Sequence, residues 1–137
     1  MKILILGSMS FAPEMNLIGE NLKKKGFEVR LPEFIEDYNK CDSRKEMHEQ
    51  AVKNKLANNL YETYHKLIKN TDAILIVNEK KKNIEGYIGA NSLIEMGFAK
   101  AINKKIFLLH QIPEMDYKDE IIATTPIILN GNLELIK

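Results

Sequence analysis

A chain of 137 residues, 45% hydrophobic and 28% charged, is sized for one domain with its own core, which excludes a disordered chain. Twenty basic residues against nineteen acidic leave a net charge of +1, so no strong field steers it to nucleic acid or an anionic membrane. A lone cysteine, Cys41, forbids an intrachain disulfide and a Cys-based zinc module, and no apolar run reaches the roughly 18–20 residues of a membrane span. The opening MKILILGS has too short an apolar stretch for a secretory signal, so a single cytoplasmic domain over residues 1–137 is expected.

Taken in chain order, the first strand is Ile3–Leu6. From Phe11 to Lys25, apolar Phe11, Met15, Ile18 and Leu22 recur at helical spacing, and Gly26 is placed to end that helix. Phe27–Leu31 is the second strand, and Pro32–Lys40, acidic and aromatic, reads as a loop over the sheet's carboxyl edge. Asp42 or Ser43 is positioned to cap a long helix ending near Asn70, with Leu56, Leu60, Tyr64 and Leu67 among its apolar positions. Ala73–Val77 is the third strand, and a helix from near Asn91 to near Asn103 follows it. Ile106–Leu109 is the fourth strand, His110–Lys118 a second loop on the same edge, and Pro126–Leu129 the fifth strand.

Nearly uninterrupted Ile/Leu/Val/Phe runs suit strands covered on both faces, as in parallel sheets. Alternation of strands with helices then predicts an α/β, doubly wound, five-stranded parallel sheet of order 2-1-3-4-5, with helices on both faces. Lysines at Lys23–Lys25 and Lys104–Lys105 fall at helix ends, where a solvated cation complements the dipole. Lys80–Lys82 differs, because it follows the third strand directly. A solvated loop and an anion guide both fit it.

Ligands of such sheets bind beyond the carboxyl ends of the strands near the switch point, here between strands 1 and 3. Two segments converge there. Gly7-Ser8-Met9-Ser10 follows strand 1, and its glycine, amides and hydroxyls suit an anion or a sugar hydroxyl at a helix N-terminus. Ser10 equally suits a plain helix cap, with Pro13 in the first turn. The second segment, Gly86 to Gly97, follows strand 3 and carries Gly89, Asn91, Ser92 and Glu95. At helical spacing Glu95 neighbours Asn91, Ser92, Phe98 and Ala99, whereas a surface glutamate more naturally neighbours lysines. Such a carboxylate is a candidate nucleophile or general base at a sugar carbon, or a first-turn acid stabilised by the helix dipole. Asn78, ending strand 3, points to the same edge as a reader of a sugar hydroxyl or base. Tyr61 and Tyr64 are candidates to stack on a base, or to be core. His48, His65 and His110 show no metal-ligand spacing, and Ser8 has no G-x-S-x-G context.

The strings GSMSFAPEM, DAILIVN and GYIGANSLIEMGFAKAINKKIFLL resemble the nucleoside 2-deoxyribosyltransferase-like superfamily, which includes the deoxynucleoside 5′-monophosphate N-glycosidases. The resemblance runs from Met1 to about Leu109, and Glu95-Met96-Gly97-Phe98-Ala99 is its most specific piece. It implies one flavodoxin-like domain, no metal or organic cofactor, a homodimer or larger homo-oligomer, and Glu95 as the nucleophile on the anomeric carbon. The transferases carry an aspartate six residues before that glutamate and the monophosphate hydrolases a phosphate-binding serine, where this sequence has Gly89. The expected activity is cleavage or transfer at the N-glycosidic bond of a small-molecule nucleoside or nucleotide. Substrate contacts are expected from Gly7, Ser8, Met9, Ser10, Asn78, Gly89, Asn91 and Ser92. The alternative is a non-catalytic nucleotide sensor on the same fold, with Glu95 gripping a ribose hydroxyl.

Overall fold

Strands without a polar side chain need a covering layer on each face, which the middle of a wound sheet provides. In a computed structural model, describing residues 1–32 and 60–137 together with 43, 45–46, 48–50 and 52–53, β1 (Lys2–Gly7) and β3 (Ala73–Val77) lie side by side. β2 (Glu28–Arg30) flanks β1, while β4 (Lys105–Leu108) and β5 (Ile127–Ile128) extend the sheet beyond β3. Every pairing is parallel and the order is 2-1-3-4-5, as expected.

Alternation along the strands divides the core into two layers. Ile3, Ile5, Leu75 and Val77 face α1 (Ala12–Lys24), whose Met15 and Leu22 are fully buried there. Leu4, Leu6, Ile74 and Ile76 face the other side. That side is covered by Tyr64 and Ile68 of α2 (Leu60–Lys69), Met96 and Ala99 of α3 (Ala90–Ala101), and Ile121 of α4 (Lys118–Ala123). Burying each such Leu or Ile contributes roughly 1.5–3 kcal/mol relative to leaving it exposed.

Helix ends follow local chemistry. Gly26 takes φ +94°, its N–H bonds the Lys23 carbonyl at 3.0 Å, and the Phe27 N–H bonds that of Leu22 at 3.1 Å. This is the paired closure that a left-handed residue permits after a helix. Ser43 Oγ accepts the Glu46 N–H at 3.2 Å, a side-chain contact of the N-cap kind. Residues 45–46, 48–50 and 52–53 are helical. The expected loop over 33–40, with Cys41, Asp42 and Leu56, lies outside the described residues.

Two expectations are corrected. Ser10 does not cap α1, because Met9–Phe11 form a 3₁₀ turn and Phe11 takes the N-cap position without a side-chain bond. Lys105 does not close a helix; it opens β4, and its ammonium donates to the Lys137 carbonyl at 2.9 Å. The stretch after the second loop holds the short helix α4, too short to show a periodicity in the sequence.

Candidate functional site

β1 and β3 end level, since Gly7 pairs with Val77. The loops that leave them therefore start side by side at the switch point, the place where wound sheets open a crevice. A Cβ on Gly7 would lie 2.7 Å from the Val77 carbonyl oxygen, so only glycine lets the two strands finish this close. Beyond it, the Ser8 and Ser10 hydroxyls bond each other at 2.9 Å. The Lys81 ammonium, from the loop after β3, donates to Ser8 Oγ at 2.8 Å. Two loops are thus joined by one cation and two hydroxyls.

Lys81 is held there by a tight reversal. Its N–H and carbonyl exchange bonds with Ile84 at 3.1 and 2.9 Å, around Lys82 at φ +51° and Asn83 at φ +61°. Two successive left-handed residues are what a type I′ turn requires. The Lys81 and Lys82 ammonium groups lie 5.4 and 5.7 Å from the Tyr87 ring centre, within cation–π range.

Asn78 stands at the expected edge, but its side chain is 0% exposed and faces main chain. Its Oδ1 accepts the His110 N–H at 2.9 Å, and its Nδ2 donates to the carbonyls of Gly86, His110 and Gln111 at 3.3, 3.3 and 3.1 Å. The amide that was expected to read substrate instead ties the β3 loop to the end of β4. Gly86 passes so close that a Cβ would sit 2.6 Å from the Gln111 oxygen, and its φ of +70° suits glycine besides. Beside this clamp, His110 Nε2 and Glu79 Oε1 are 3.2 Å apart.

Gly89 is the N-cap of α3, at φ −77° and ψ 167° with no side-chain cap bond. A Cβ there would meet the Tyr87 ring at 3.6 and 3.9 Å, ordinary contact distances. Gly89→Ser is therefore expected to be accepted and to raise stability by a few tenths of a kcal/mol, read from urea denaturation. A clear loss of stability would show that the backbone here needs glycine.

Within α3, Ser92 and Glu95 turn inward, 3% and 9% exposed. Counting from Ala90, Glu95 is the sixth helical residue, and the first turn holds no acid. Dipole stabilisation fades within one turn, so it does not account for this carboxylate. Among the described residues, no buried side-chain nitrogen or oxygen lacks a hydrogen-bond partner. Asn91 Oδ1 accepts the Tyr61 hydroxyl at 3.2 Å, which joins α2 to the start of α3. Tyr61 is 51% exposed, whereas Tyr64, 7% exposed, belongs to the core.

Tyr117 supports the same region by donating its hydroxyl to the Ile88 carbonyl, just before α3. Burial first, then Tyr87 and Asp116, push its pKa above the usual 10.0. A raised folded-state pKa means stability that is complete below pH 10 and declines as the pH climbs toward the folded value. Thermal melts of wild type against Tyr117→Phe should show an advantage for tyrosine that shrinks above pH 10.

Sequence reasoning did not single out Tyr87, marked Lys81 only as part of the Lys80–Lys82 run, and marked Gly86 only as the start of the second segment. The only signal was the place of the lysine run immediately after a buried strand. No group of three or more His, Cys, Asp and Glu among the described residues is arranged to hold a metal ion, and no described helix is long and apolar enough to cross a membrane.

No protein-family model matches the sequence, and no curated protein matches it. Likeness is found among solved structures: the chain is similar to the CMP N-glycosidase BcmB of Clostridium botulinum, with a TM-score of 0.52 and 18% identity. The match covers 95% of this chain and 90% of that one. At such identity the likeness establishes a shared α/β fold over nearly the whole chain.

Proposed function

We propose that the protein cleaves, or transfers at, the N-glycosidic bond of a nucleoside or nucleoside 5′-monophosphate, with Glu95 as nucleophile. The observation that carries this reading is a carboxylate buried in the second turn of α3, where neither a cap nor the dipole explains it. The Glu-Met-Gly-Phe-Ala string around it and the N-glycosidase activity of the structural neighbour support the same chemistry.

A Glu95 carboxylate oxygen would attack C1′ as the C1′–N bond breaks, and that electron pair leaves with the base. The base takes up one proton from an acid or from solvent. Water, or a second base, then attacks C1′ of the glycosyl ester and releases the carboxylate. One hard displacement becomes two easier ones. Ser8, Ser10, Asn91 and Ser92 are assigned to sugar contacts, with Gly7, Met9 and Gly89 supplying close backbone. Asn78 holds the loop rather than the substrate. A homo-oligomer belongs to the same proposal, and light scattering tests it; Ala90, Ile94, Gly97 and Ala101 form an exposed uncharged stripe on α3, with exposed Lys100 beside it.

One observation favours a sensor instead, the bare Gly89 where the superfamily's enzymes carry Asp or Ser. The two readings separate on incubation with ribo- and deoxyribonucleosides and their 5′-monophosphates, with and without a free base. Released or exchanged base supports the enzyme. Binding without any product supports the sensor.

A further inference from the structure

We infer that Tyr87 is a substrate-binding residue whose phenol hydroxyl bonds a hydroxyl of the ligand's sugar beside the bare N-cap of α3. This rests on the reading of the site as nucleotide-directed, but it concerns recognition and not bond cleavage.

Placement comes first. Tyr87 lies between the two segments assigned to the sugar. Its ring centre is 5.4 Å from the Lys81 ammonium, which in turn donates to Ser8. Its other end covers residue 89, where a Cβ would lie 3.6 Å from ring atom Cε1 and 3.9 Å from the hydroxyl oxygen. Position 89 has no side chain, and the space that one would enter already ends in a hydroxyl.

Availability comes second. Two tyrosines stand near Ile88, and Tyr117 commits its hydroxyl to the Ile88 carbonyl. Among the described residues, no hydrogen bond engages the hydroxyl of the half-buried Tyr87. Every buried side-chain oxygen among those residues has a partner, so the Tyr87 oxygen is one that reaches solvent.

Rigidity comes third. The Tyr87 N–H bonds the Glu79 carbonyl at 2.9 Å, and the carbonyl of Gly86 before it is held by Asn78. The ring packs against the core layer on the α1 side, with the Lys81 and Lys82 ammonium groups near its centre. Backbone and ring are held, and only the hydroxyl is left over. A bond from a side chain already fixed in this way bears little ordering cost. A phenol hydroxyl both donates and accepts without charge, as an alcohol does, whereas a phosphate dianion only accepts.

Calorimetry with ribose and ribose 5-phosphate tests this contact without any glycosidic bond to cleave. Tyr87→Phe removes one oxygen and keeps the ring, so the melting temperature is expected to stay at the wild-type value. Both sugars should bind roughly 2- to 10-fold more weakly, the scale of one neutral hydrogen bond. Adding Gly89→Ser to Tyr87→Phe returns a hydroxyl beside the lost one and is expected to recover part of that factor. A lowered melting temperature with no recovery from the serine would mark a structural tyrosine and overturn the proposal. Unchanged ribose affinity in Tyr87→Phe would overturn it too, even if ribose 5-phosphate binding fell, as would a wild type that binds neither sugar. Tyr87-dependent binding of both sugars with no base release from any nucleotide keeps the contact and removes the glycosidase; base release with both affinities unchanged in Tyr87→Phe does the reverse.

Discussion

Replacing Glu95 by glutamine is expected to reduce base release by several orders of magnitude while ligand binding survives or tightens. The amide keeps the size and polar shape of the side chain but cannot form a glycosyl ester, and loss of a nucleophile is usually felt on that scale. If Glu95 only grips a ribose hydroxyl, there is no turnover to lose, and the same change weakens binding by about 1–3 kcal/mol through one charged hydrogen bond. Chromatography of the released base, paired with calorimetry on the same protein, separates the two outcomes. Because Glu95 sits beyond the first turn of α3, the helix dipole contributes little to its stability effect.

Asn78→Leu is expected to cost about 2–4 kcal/mol of folding stability, the largest loss from a polar position here. The swap fills a similar volume but leaves the His110 N–H and the Gly86 and Gln111 carbonyls without their partner in a buried place. Asn78→Asp should be worse than a volume-matched loss. It keeps the acceptor for His110 but turns an oxygen against three carbonyls. Urea denaturation of the three proteins checks the order wild type, then Leu, then Asp. An unchanged midpoint in Asn78→Leu would mean that the loop is fixed by something other than this amide.

Those two side chains show what a sequence discloses and what it withholds. Strand order was readable because Ile3–Leu6 and Ala73–Val77 are unbroken apolar runs separated by helical periods, and buried parallel strands leave that mark. Gly26 was readable because a left-handed closure has a one-residue signature. Asn78 was placed at the correct edge, yet apart from the Gly86 carbonyl its partners are main-chain groups of His110 and Gln111, some thirty residues away, and nothing local encodes them. Ser10 satisfied every local rule for a cap until a 3₁₀ turn moved the helix start past it. Lys81 is the same lesson reversed. Its neighbours in sequence are other lysines, and only the level ends of β1 and β3 bring it to Ser8.

The measurement that bears most directly on the central claim is peptide mass spectrometry after acid quench during turnover of a nucleoside 5′-monophosphate. A nucleophilic Glu95 predicts a sugar phosphate in ester linkage on the peptide that contains Glu95, formed with wild type and absent from Glu95→Gln. Base released at an undiminished rate by Glu95→Gln, with the wild-type peptide unmodified, would contradict it.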